Sequence, residues 1–236
     1  MFETITLSQT NCYLFRTKAG YLLIDCGNQH DEYKFVSILK HLGVKPSDIN
    51  YLVLTHHHSD HCGLLNFLVS KAPQVKVVMS SKCAGFMQGG SNHKHENERF
   101  SNPSLHFIFN IYSRLSKNCQ ENFPPYFVRR SDLIIEQDDS SLLPELGIRG
   151  KILLTPGHTE DSLSIIVEDA AFVGDAARNI LNFTGTPCQP IILYNYDACL
   201  NSWNKLIASG ARMIYPAHGK AFCVEKLINP HKRINI

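Results

Sequence analysis

The chain has no Cys-x-x-Cys pair, no marked excess of charge of either sign, a single tryptophan and no long apolar run. Each lack excludes something. Eight cysteines at 12, 26, 62, 83, 119, 188, 199 and 223 without paired spacing argue against a structural zinc knuckle or a dense disulfide framework, and for free thiols in a reducing compartment. A net charge of +2 supplies no field to draw nucleic acid or an anionic membrane. No stretch approaches the roughly 18 apolar residues of a membrane span. The opening Met1-Phe2-Glu3-Thr4-Ile5-Thr6 has neither the cationic nor the apolar region of a secretory leader. A cytoplasmic protein without membrane or nucleic-acid partners is expected. With 236 residues, 44% of them apolar, the chain suits one domain over 1–236 with one large core.

What the chain does have is metal-ligand side chains at the ends of apolar segments. Tyr51-Leu52-Val53-Leu54 reads as a strand buried on both faces, and it runs into Thr55-His56-His57-His58-Ser59-Asp60-His61-Cys62. Asp60 is expected to cap a helix over 61–70 whose apolar face carries Leu64, Leu65 and Leu68. Period-two alternation turns His56 and His58 the same way and His57 elsewhere. His57→Ala is therefore expected to change metal content and turnover little, whereas Asp175→Ala should abolish turnover and lower metal content. His158 follows the strand and turn Lys151 to Gly157, Asp175 follows Ala170 to Gly174, and His218 follows Arg212 to Ala217. Four strand ends meeting at one edge make an active-site layout.

The run His56-x-His58-x-Asp60-His61, with Thr155-Pro156-Gly157-His158-Thr159, Gly174-Asp175 and Pro216-Ala217-His218-Gly219, resembles the metallo-β-lactamase fold superfamily. Asn11-Cys12-Tyr13-Leu14 and Leu22-Leu23-Ile24-Asp25-Cys26-Gly27 resemble its opening strands, so the likeness covers nearly the whole chain. The resemblance implies that His56, His58 and His158 hold one divalent metal, Asp60, His61 and His218 a second, and that Asp175 bridges them. Imidazole and carboxylate ligands suit zinc, with iron or manganese as alternatives. Such a pair ionises a shared water near neutral pH, and Asp60 is expected to act catalytically by passing on a proton. The implied reaction is cleavage of an ester, thioester or lactone, with β-lactams as a side activity. The alternatives are a small-molecule phosphodiesterase and a non-hydrolytic iron redox enzyme, oxygenase or sensor.

The order of predicted elements is strands near 2–7, 11–16 and 20–25, a helix at 31–42, the strand 51–54, the helix 61–70 and a strand at 75–79. Strands near 133–136, 149–154, 163–167 and 171–174, a helix near 196–209 and a strand at 212–215 follow. This order predicts an α+β fold, an αββα four-layer sandwich of two mixed β-sheets packed face to face with helices outside. Residues 84–131, rich in aromatics, break the pattern and read as a helical insertion, either a lid over the metals or else a satellite core or homodimer contact. As a lid it implies a small-molecule substrate with an apolar part. His93 and His95 read as a solvated face, and His30, His41, His106 and His231 as surface or packing residues. Asp25 is a candidate acceptor for a ligand histidine, Thr159 and Ser162 for fixing their loop, and Tyr194 and Tyr196 for placing a phenol near the substrate.

Overall fold

The computed structural model of the chain describes residues 1–115 and 121–228. Its larger sheet runs, in spatial order, β1 (Phe2–Thr6), β2 (Asn11–Thr17), β3 (Gly20–Ile24), β4 (Ile49–Val53), β5 (Lys76–Ser80) and β7 (Leu133–Ile135). The smaller runs β13 (Phe222–Cys223), β12 (Met213–Pro216), β10 (Ala170–Gly174), β9 (Leu163–Val167) and β8 (Gly150–Leu154). Both are mixed, with β3, β4, β5 and β7 parallel in the first and β10 and β12 parallel in the second.

Side-chain alternation sorts each strand between two cores. Tyr13, Phe15, Leu22, Ile24, Val53 and Val78 of the first sheet meet Ile152, Leu163, Ile165 and Phe172 of the second. The intervening residues Cys12, Leu14, Leu23, Leu52 and Val77 turn outward onto α1 (Glu32–His41), α3 (Leu65–Lys71) and α4 (Ser81–Met87). Leu153, Ile166, Ala171, Val173 and Ile214 likewise pack on α7 (Tyr196–Ala208) through Trp203 and Leu206. Strands buried on both faces explain the apolar runs, and the layering is the expected αββα sandwich.

The helix expected over 61–70 is broken into α2 (Ser59–Cys62) and α3. Gly63 lies between them, its N–H donating to the Gly27 carbonyl at 2.8 Å, and a side chain there would collide with the backbone of Asn28 and Gln29. Asp60 is not the cap; it lies inside α2, and His58 holds the capping position.

Within 84–131 the described residues contain the end of α4, the strand β6 (Arg99–Phe100) and α5 (Pro103–Leu115), while 116–120 of the insertion lie outside the described residues. β6 pairs with β11 (Ile192–Leu193), a strand of the second half. Short helices α6 (Leu142–Glu145) and α8 (Glu225–Ile228) complete the α-helices among the described residues. No helix among the described residues is long and apolar enough to cross a membrane.

Candidate metal centre

The four strand ends do converge. β4 delivers His56, His58 and, through α2, Asp60 and His61, while β8, β10 and β12 end just before His158, Asp175 and His218. All seven sequence-identified donors fall into three overlapping groups: His56, His58 and His158; His56, His61 and Asp175; Asp60, His61 and His218. Within each group the donor atoms lie within 4.8 Å of one another. His158 Nε2 is 3.1 Å from His58 Nδ1 and 3.6 Å from Asp175 Oδ2. On the other side, His218 Nε2 is 3.2 Å from Asp60 Oδ2 and 3.3 Å from Asp175 Oδ1. Asp175 therefore stands between the two outer groups.

The donors fit divalent cations. His56 Nε2, His61 Nε2 and Asp175 Oδ1 are buried with no hydrogen-bond partner, an arrangement that costs roughly 1–3 kcal/mol per group unless something pairs with them. Meanwhile the opposite ring nitrogens are held. His61 Nδ1 donates to Asp25 at 2.8 Å, His158 Nδ1 to the Ile192 carbonyl at 2.8 Å and His218 Nδ1 to the Gln9 carbonyl at 2.9 Å. His56 Nδ1 lies 3.1 Å from Thr55 Oγ1, which itself donates to Asp25. Each of these imidazoles is thus fixed in orientation with one nitrogen left for a metal. Close approach of the two sheets makes this geometry possible: Gly174, at φ +51°, would put a Cβ 2.5 Å from Thr55 Oγ1.

Charge is unevenly spread. Burial, reinforced by neighbouring imidazoles, holds His56 and His58 well below the ordinary histidine range. Burial disfavours charge on His61 as well, but Asp60, Asp25 and Asp175 outweigh it and push its pKa up to about 10. His218 is raised in the same way by Asp175 and Asp60, and both carboxylates are depressed against the cost of burial. The neutral histidines are ready for a cation, and the acidic side holds protons that a cation would displace.

Asp25 is the anticipated acceptor for one of the candidate donor histidines, His61, and it also receives the Thr55 N–H at 2.8 Å. Thr159 and Ser162 pair through their hydroxyls at 2.6 Å. The Cys62 thiol points to the His57 carbonyl at 3.2 Å and belongs to none of the donor groups. Tyr194 packs its ring on His95 at 5.0 Å, and Tyr196 packs against the α7 core.

His57 does face away from the donors, yet it is no idle residue: it is buried, and its Nδ1 and its own N–H both donate to Asp161, at 3.0 and 2.9 Å. His93 is exposed and His95 half-buried, as a solvated face implies, yet both are tied into the fold. The His93 N–H donates to His57 Nε2 at 2.9 Å with its ring stacked on Phe86, and His95 pairs with Glu160 at 3.1 Å. His106 stacks on Phe100 at 4.6 Å, and His231 lies outside the described residues. Asp161, Thr55 and the acceptor carbonyls of Gln9 and Ile192 escaped sequence reasoning. Asp161 stands in the polar run Thr159-Glu160-Asp161-Ser162 ahead of β9, where nothing in the sequence sets it apart from Glu160.

The sequence profile described as the metallo-beta-lactamase superfamily matches residues 5–218, and the chain belongs to that family. Proteins of this superfamily are usually metal-dependent hydrolases binding divalent ions, most often zinc. Among curated relatives, the metallo-β-lactamase fold-containing protein ST1585 of Sulfurisphaera tokodaii is 28% identical over 171 residues, 72% of this chain and 60% of that protein. The β-lactamase-like protein 2 homolog of Caenorhabditis elegans is 28% identical over 217 residues, 91% of this chain and 57% of that one. The chain thus spans about three-fifths or less of these relatives. Among solved structures, ST1585 superposes with a TM-score of 0.68 at 20% identity, covering 100% of this chain and 89% of that one. The subclass B3 metallo-β-lactamase BJP-1 of Bradyrhizobium japonicum gives 0.64 at 18% identity, over 92% and 74%.

Proposed function

We infer that the chain is a dinuclear metal-dependent hydrolase of a small ester, thioester or lactone, with β-lactams as a side activity. The observation that carries this reading is the convergence of three buried donor atoms that lack a hydrogen-bond partner, His56 Nε2, His61 Nε2 and Asp175 Oδ1, among candidate ligands drawn from both sheets. In this reading His56, His58 and His158 hold one ion, Asp60, His61 and His218 the other, and Asp175 both. Two divalent ions, zinc first and iron or manganese as alternatives, supply Lewis acidity that brings the pKa of water near neutrality and polarises a carbonyl. The chain's own groups orient and move protons. Asp60 Oδ2, which faces His218 and accepts from Thr10 at 3.3 Å, takes up and passes on a proton during turnover.

The insertion serves in this reading as a lid rather than a dimer contact. It is tied to both flanks of the centre: Tyr112 of α5 bonds to Gln9, whose carbonyl holds His218, and β6 pairs with the strand whose Ile192 carbonyl holds His158. Phe107 and Ile111 on α5 stay exposed, one turn apart, which favours a substrate with an apolar part. Metal analysis followed by an ester, lactone, β-lactam and phosphodiester panel, with and without chelator, tests the proposal. Two equivalents of metal with chelator-sensitive ester or lactone cleavage is the expected outcome. Turnover of phosphodiesters alone, or a single iron with oxygen uptake, would replace it.

A further inference from the structure

His57 sits between two donors without being one, and every polar atom of its ring is engaged. Its Nδ1 donates to Asp161, which lies on the loop that carries His158. One carboxylate thereby joins the loop of His56 and His58 to that of the third member of their donor group. On the ring's far side, Nε2 accepts the N–H of His93, in the insertion. Next to it the Asn92 side chain accepts the Ser59 N–H at 2.8 Å, at the start of α2. Phe86 lies against both imidazoles, 4.7 Å from His57 and 4.5 Å from His93. The Asp161 carbonyl in turn accepts from Ser80, the cap of α4, where the insertion begins. Three segments far apart in sequence, around 56–59, 158–161 and 91–95, therefore meet on one imidazole.

We propose that His57 is a positioning residue which, clamped by Asp161 and by the His93 amide, couples filling of the His56/His58/His158 donor group to closure of the 91–95 strap of the insertion. A cation drawing His56, His58 and His158 together fixes the backbone of His57 from both sides and so fixes the acceptor that the strap needs. By linkage, an ordered strap must favour the cation by the same factor. The inference rests on the metal-centre reading, and its test separates the two.

Hydrogen exchange at the His93 amide, in the full chain with and without zinc, reads this bond directly. Zinc should slow that exchange at least tenfold in the wild-type protein. Contrary to the small change that strand alternation alone implies, the bonds of His57 to Asp161 and His93 mean that His57→Ala should abolish the zinc dependence and weaken zinc binding at one of the two sites by about 10–100-fold, the usual effect of removing a partner that supports metal ligands. A purely structural role would raise exchange over 91–95 equally with and without zinc, and would overturn the proposal. Wild-type protein that binds zinc, by calorimetric titration, with no change at His93 would overturn it too, a result that does not depend on any variant folding. Protein that binds no zinc at all would overturn the metal-centre reading itself, and this inference with it.

Discussion

Asp25 is the residue on which the acidic side of the centre depends, because its carboxylate holds His61 Nδ1, Thr55 Oγ1 and the Thr55 N–H together. Asp25→Ala should weaken metal binding by about 10–100-fold, measured by competition with a chromogenic chelator. Asp25→Asn, which keeps an acceptor and suits the left-handed backbone at φ +56°, should lose less. Protons compete for the same atoms. His61 is raised from 6.5 to about 10, so metal uptake at neutral pH must release its proton. Affinity should fall as pH falls, with proton release visible as buffer-dependent calorimetric heats. The sign for the metal-free protein is opposite at the alkaline end: the stability His61 contributes is complete below about 6.5 and is lost as pH rises through about 10. That of Asp60 and Asp175, both depressed below 3.8, is present above that value and lost in stronger acid. A thermal-melting series across pH with chelator present checks both edges.

The elements hold these residues through a few long-range bonds. Trp203 of α7, 2% exposed, donates to the Ala176 carbonyl at 2.7 Å, just past Asp175. Trp203→Phe removes that donor and leaves a void, and should cost about 1–3 kcal/mol in a urea titration. Most elements were legible in the sequence because strands buried on both faces give unbroken apolar runs and stop where the polar donors begin. The donors were legible for the same reason, each standing at such a stop. What stayed hidden was pairing at a distance. Nothing near Gly63 announces that the 27–29 loop presses on it and splits a helix, and nothing near His57 announces Asp161, 104 residues away. Alternation gave the direction of the His57 side chain but not what it would meet.

At the scale of the molecule, the larger sheet contributes His56, His58, Asp60 and His61 and the smaller contributes His158, Asp175 and His218. Metal binding should therefore stabilise the packing of sheet on sheet. At 100 times its dissociation constant, one bound ion adds about 2.7 kcal/mol, a rise of roughly 5–10 °C in melting temperature for a chain of this size. Chelator should reverse it. If α5 covers the substrate, the double change Phe107→Ser and Ile111→Ser should raise KM for a long-chain acyl ester on the order of tenfold and leave a short ester almost unchanged. A change in mass by light scattering instead would identify those residues as a contact between copies. The division of the candidate ligands between the sheets also makes the chain separable in principle. Cut at the exposed residues 136–138 that follow β7, it would yield two fragments, neither holding a complete set of candidate ligands, and metal binding would report their reassembly.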